Sequence, residues 1–142
     1  MRIMAVDHGQ KNFGLALSDE TGALARPFAI LRHVSKLLDA AAVSEQASSQ
    51  GVGLIIVGVS YDEAGDPNQA GRRAINFAEA LRQQTTLTVE LWDESMTTQD
   101  ARAARLASGA PRKKRAGHLD DVAAAILLQN YLDTQATLTD EN

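Results

Sequence analysis

Cysteine is absent from the 142 residues, which excludes disulfides and cysteine-based zinc sites and makes a cytoplasmic location the expectation. No apolar run approaches the ~20 residues that a membrane-spanning helix needs. Met1-Arg2 leads straight into an apolar strand pattern, with no signal-peptide regions before it. The three histidines are scattered and give no metal-ligand spacing. No internal repeat or linker divides the chain, so one domain is expected over residues 1–135, followed by a polar tail, 136–142. A chain of this length buries roughly two-thirds of its unfolded surface. Basic residues are also in the minority, 14 against 18 acidic for a net charge of -4, which by itself argues weakly against nucleic acid as a partner.

The distribution of charge says something different. Between Gln99 and His118 stand Arg102, Arg105, Arg112, Lys113, Lys114 and Arg115, opposed only by Asp100. This stretch carries +5 and leaves -9 for the remainder. A basic patch on an acidic body fits contact with an anionic ligand at one edge, although charge runs are most often solvated loops.

Three apolar runs open the chain, Arg2–Asp7, Phe13–Ser18 and Ala25–Leu31, joined by short Gly-containing links that predict an antiparallel meander. Helical spacing of Leu37, Leu38, Ala41, Ala42 and Val43 predicts a helix from Ser35 to Gln50. Leu54–Val59 is unrelieved apolar, the pattern of a strand covered on both faces. A helix over Gln69–Gln84 and a strand over Leu87–Trp92 follow. Thr97-Thr98-Gln99-Asp100 resembles a helix cap for Ala101–Ala107, and Leu119–Leu132 predicts a last helix with a frayed polar end. Helices between the later strands call for parallel crossovers. The expectation is an α/β fold, a mixed five-stranded sheet of three antiparallel then parallel strands, flanked by helices.

Three acids fall where such a sheet gathers ligands. Asp7 ends the first apolar strand, Glu94 follows the last strand, and Asp120 starts the final helix. A carboxylate near the end of a buried strand is costly unless it is paired, hydrogen-bonded or metal-bound. Hard oxygen ligands suit Mg²⁺ or Mn²⁺, and two such ions can activate water and stabilise the leaving oxygen in phosphodiester cleavage. Each acid also has a plainer reading. Asp7 can brace its turn, Glu94 can be a surface acid before the Thr97 cap, and Asp120 or Asp121 can cap the last helix. Only the three together favour metal. Lys11, in the turn after Asp7, either steadies a phosphate or covers the sheet edge. His8 is read as facing solvent or capping the turn, Trp92 as core, and Gly14 and Gly58 as sites of close backbone approach.

Asp7-His8-Gly9 with Lys11, Gly14, Ala16, Ser18 and Asp19 resembles the opening motif of the YqgF/RuvX family. Ile55-Ile56-Val57-Gly58 is similar to the family's central strand, and Asp93-Glu94-Ser95-Met96-Thr97-Thr98 with Ala101 to its Asp-Glu-x-x-(Ser/Thr)-Thr-x-x-Ala motif. Leu119-Asp120 with Ala123-Ala124, Ile126-Leu127 and Tyr131-Leu132 resembles the closing helix. The resemblance implies a ribonuclease H-like fold and a metal-dependent nuclease that processes pre-16S rRNA, resolves Holliday junctions, or both. It implies Asp7, Glu94 and Asp120 as the catalytic, metal-binding set, and selects Asp120 over Asp121. Structured RNA or branched DNA is then the partner, and Lys11, Arg102, Arg105, Arg112, Lys113, Lys114 and Arg115 are the candidate substrate contacts. The family usually reads Gly-Leu-Pro after the central strand, where this chain has Gly58-Val59-Ser60 followed by Tyr61-Asp62-Glu63.

Two other classes compete. A non-catalytic nucleic-acid or protein-binding module would keep the fold without the chemistry. An actin-like phosphotransferase would share the Asp-x-Gly turn, but needs a second related domain that 142 residues do not hold. Resolving a symmetric junction calls for two active sites, yet no segment marks a dimer surface, so the expected state is a monomer or weak homodimer.

Overall fold

The structure is a computed structural model, and it describes residues 1–96 and 119–140. Strands β1 (Arg2–His8), β2 (Asn12–Ser18) and β3 (Ala25–Arg32) come first, then α1 (Lys36–Ser49), β4 (Val52–Val59), α2 (Gln69–Gln84) and β5 (Thr88–Asp93). A single 3₁₀ turn (Glu94–Met96) follows β5, and α3 (Leu119–Asp140) is the last element. The sheet order is β3-β2-β1-β4-β5. The first three strands are antiparallel neighbours, while β4 is parallel to β1 and β5 to β4. The mixed five-stranded sheet expected from the sequence is therefore present. The expected helix over 101–107 and its cap lie outside the described residues.

Strand alternation divides the core in two. Met4 and Val6 of β1, with Ile55, Val57 and Val59 of β4, bury against α1 and α2, whose inward faces carry Ala40, Val43, Ala74, Phe77 and Leu81. Ala5, Ala16 and Ile56 face the other way and meet Ala124, Leu127, Leu128 and Tyr131 of α3. Polar caps fix where the first two helices begin. The Ser35 hydroxyl accepts from the Leu38 amide (3.2 Å), and the Asn68 side chain accepts from the Gly71 amide (2.8 Å).

Two features differ from the sequence reading or complete it. The last helix continues to Asp140, so most of the segment read as a frayed tail is helical. Neither Gly nor Pro follows Gly117 to stop it, and the hydroxyls of Thr134 and Thr137 bond back to the carbonyls of Asn130 and Asp133 (2.8 and 3.0 Å). The unusual loop after β4 takes a defined shape without the proline. The Asp62 carboxylate accepts from the amides of Ala64 and Asp66 (2.9 and 3.0 Å), and Gly65 takes a φ of +88°.

Tyr131 ties α3 to β5. Its ring meets Trp92 edge-on at 5.0 Å, and its hydroxyl donates to the Glu90 carboxylate at 3.2 Å. Burial, then the Glu90 charge and that hydrogen bond, push the phenol from 10.0 up to about 12. A raised folded-state pKa stabilises below the unfolded value, so this contribution is complete below pH 10 and is lost as pH rises towards 12. Ultraviolet titration is expected to show a tyrosinate step near pH 12 that Tyr131→Phe removes. A step that survives the substitution would assign it elsewhere.

Candidate metal-binding edge

Asp7 is the last but one residue of β1, and alternation places it on the α3 face with Ala5. Both of its strand neighbours lack side chains. On one side it pairs with Gly14 of β2. On the other, Val6 pairs with Val57, so Gly58 of β4 comes level with Asp7, and Gly58 in turn pairs with Trp92. A Cβ added to Gly58 would lie 2.8 Å from Leu127 Cδ2 and 3.0 Å from Glu94 Oε1. The Glu94 carboxylate thus folds back from the 3₁₀ turn onto the sheet, over Gly58. That position is about one strand spacing, ~4.8 Å, from Asp7.

The aim of Glu94 is set by its predecessor. The Asp93 carboxylate accepts from the Ser95 amide and hydroxyl (2.8 and 2.7 Å), closing the turn that reverses the chain after β5. Asp120 enters through α3. Leu127 packs at Gly58, while Gln129 exchanges hydrogen bonds with Ala23 and Ala25 at the start of β3, the opposite edge of the sheet. The helix therefore runs away from the carboxyl ends of β1, β4 and β5. Its backbone, from Leu119, starts on the side of that same edge, and Asp120 belongs to its first turn. Among the described residues, no group of three His, Cys, Asp or Glu side chains gathers to hold a metal. The donor set still fits a hard divalent ion: two carboxylates over a patch that a single Cβ would fill.

Lys11 sits in the exposed turn between β1 and β2 at the same edge, and its carbonyl accepts from the His33 amide at 2.8 Å. Arg102, Arg105, Arg112, Lys113, Lys114 and Arg115 lie outside the described residues. Asp19, part of the opening motif, is elsewhere. Its carboxylate accepts from the Thr21 hydroxyl and from the Leu24 and Ala23 amides, bonds that hold it well below the usual carboxylate range and brace the β2–β3 loop. A hollow of about 440 Å³ lined by Tyr61, Asp62, Glu63 and Asp93 puts an acidic lip next to the Glu94 turn.

On the other face of β1, His8 departs from the sequence reading. Its ring stacks on Phe77 at 4.8 Å, lies 6.0 Å from Phe13, and meets His33 edge-on at 6.5 Å. Burial lowers its pKa, partly offset by Asp39 and reinforced by His33 and Arg73. The alternation Met4, Val6, His8 is the signal in the sequence that places it on the α1–α2 face. His33 Nδ1 is hydrogen-bonded to the buried Asp39 carboxylate, which also accepts from the Val34 amide at 2.9 Å.

Comparison with known proteins extends these observations. A family model described as "RuvX: Holliday junction resolvase" matches residues 1–134. A protein of Thermoanaerobacter pseudethanolicus named "Putative pre-16S rRNA nuclease" is 34% identical over 136 residues, spanning 95% of this chain and 98% of the relative. One of the same name from Symbiobacterium thermophilum is 35% identical over 142 residues, covering 100% of this chain and 99% of its own. Among solved structures, Thermus thermophilus RuvC superimposes with a TM-score of 0.60 at 16% identity, covering 96% of this chain and 97% of that one. The fowlpox virus resolvase, in complex with Holliday junction DNA, gives 0.57 at 16% identity over 95% and 99% of the two chains. At such identities the likeness speaks for the fold alone, the ribonuclease H-like arrangement expected from the sequence.

Proposed function

Because this chain belongs to the RuvX family of Holliday junction resolvases, we propose that it is a divalent-metal nuclease in which Asp7, Glu94 and Asp120 hold Mg²⁺ or Mn²⁺ against a phosphodiester of structured nucleic acid. The observation that carries this reading is the placement of Glu94 over Gly58, level with Asp7, at the carboxyl edge of the sheet. A bound divalent ion there would polarise the scissile phosphate and lower the pKa of an attacking water. The chain's own part is to hold the ligands. β1 fixes Asp7 in its ladder, the Asp93 turn fixes Glu94, and α3 carries Asp120 to the edge.

The substrates proposed are those that the relatives' names point to, a pre-16S rRNA precursor and a four-way DNA junction. Purified protein assayed on both, side by side with Mg²⁺ or Mn²⁺, is expected to cut at least one and to lose that activity in EDTA. Binding without cleavage under every metal condition would favour a non-catalytic module on the same fold.

The basic stretch and Lys11 supply the proposed backbone contacts. Neutralising Arg112, Lys113, Lys114 and Arg115 together is expected to weaken binding and flatten its salt dependence. The slope of log K against log salt falls by roughly 0.9 for each duplex phosphate that the protein no longer neutralises. Four such phosphates correspond to a change of about 3 to 4. An unchanged slope in filter-binding or anisotropy titrations would remove this stretch from the interface.

A further inference from the structure

Behind the metal-binding edge, on the α1–α2 face of β1, lies a cavity of about 400 Å³ that the nuclease reading does not use. Its walls include His8 from β1, His33 from the β3–α1 connection, Lys36 from the first turn of α1, and Arg73, Asn76 and Phe77 from α2. Four of these six carry nitrogen cations or imidazoles, and no carboxylate lines the cavity. Asp39, the acid that holds His33, is buried and committed to that ring and the Val34 amide. Among the described residues, neither Lys36 nor Arg73 has an ion-pair partner.

The two rings stand edge-on to each other, and in each Nδ1 is already enclosed. Asp39 holds His33 through Nδ1, and the Nδ1 of His8 is shut away from solvent without a hydrogen-bond partner. In both rings Nε2 is the nitrogen left to meet a ligand, donating from His8 as its Nε2–H tautomer and from His33, whose Nδ1–H goes to Asp39, as the imidazolium. A fork-shaped guanidinium, an ammonium and two imidazole edges around one small cavity match the several oxygens of a phosphate. The Asn76 amide adds a neutral donor, and the Phe77 and His8 rings close the floor.

We propose that this cavity is a phosphate-ester site, distinct from the Asp7 edge, in which Lys36, Arg73, His8 and His33 take a phosphate of a nucleic-acid strand or of a free mononucleotide. His8 follows Asp7 directly in β1, so the two sites occupy opposite faces at one end of the strand. A strand wrapped over the β1–β2 turn can occupy both at once. Lys11, in that turn, lies on the path between them.

The experiment follows the ring C–H signals of His8, His33 and His118 by NMR in the full chain. Sodium phosphate, then AMP, then a short single-stranded oligonucleotide replaces chloride at constant pH and ionic strength. His8 and His33 are expected to shift saturably. Lys36→Gln with Arg73→Gln is expected to weaken that response about tenfold or more for each cation removed. Stronger response to the oligonucleotide than to phosphate or AMP assigns the ligand to a strand. Response to phosphate and AMP without response to the oligonucleotide assigns it to a small molecule. The proposal is overturned if the His8 and His33 signals stay fixed with all three probes, or shift undiminished in the folded double variant. Cleavage is not measured, so this site and the metal site stand or fall separately.

Discussion

Asp7→Asn is expected to lower metal-dependent cleavage by more than about 100-fold, since even partners that only orient a metal ligand are worth about 10–100-fold. Asparagine keeps the size of the side chain and an acceptor oxygen but removes the charge that a hard cation requires. The strand partner Gly14 and the level Gly58 carry no side chains, so an asparagine of the same size meets no new side chain within the sheet. Thermal melting without metal is the control that shows the variant still folds. Added Mg²⁺ stabilises whatever binds it in the native state. The wild-type Tm should rise with metal concentration, and that of the variant should rise less. Retained cleavage would remove Asp7 from the ligand set, and lost cleavage with a collapsed Tm would recast it as a structural residue.

How much of this site is legible in the sequence depends on which force sets each part. The five strands follow from local pattern: unrelieved apolar residues in β4, alternation and Gly-containing links in β1 to β3. Asp7 stands out because a carboxylate in an apolar strand is costly wherever the chain goes next. That Glu94 lies over Gly58 is a matter of sheet order and of one turn closed by Asp93, and neither leaves a periodic trace. Gly58 reads as a place of close approach, but what approaches it, Leu127 from one side and Glu94 from the other, is tertiary. The cavity around His8 is invisible to sequence reasoning. Its walls come from four separate segments, and a histidine at a strand end reads equally well as solvated until the Phe77 ring of α2 is set against it. Helix α3 outruns its apolar pattern because its last turns bury little. No Gly or Pro stops the helix there, and its side chains from Asp133 to Leu138 are mostly exposed.

Gly58→Ala is expected to damage stability and catalysis by separable routes. The backbone at Gly58 has no positive φ, so alanine suits it and would ordinarily stabilise by about 0.4–1 kcal/mol through the unfolded state. Against that gain, the new methyl would stand 2.8 Å from Leu127 Cδ2 and 3.0 and 3.1 Å from Glu94 Oε1 and Cγ. Forcing a methyl into a filled space typically costs about 1–3 kcal/mol, so a net loss of roughly 1–2 kcal/mol is expected in denaturant titration. Glu94 yields more readily than the packed helix, and a displacement near 1 Å at a catalytic group costs about 100-fold in rate. Combining the change with Leu127→Ala separates the two neighbours. The new methyl then occupies part of the space vacated by Leu127, so the double variant should lose less stability than the two single losses added together, by about 0.5–3 kcal/mol. Cleavage should not recover with it, because Glu94 still meets the methyl. If cleavage returned along with stability, the glycine would serve helix packing, and the placement of Glu94 over it would be incidental. If Gly58→Ala cut at the wild-type rate, the carboxylate over that strand would have no part in the reaction.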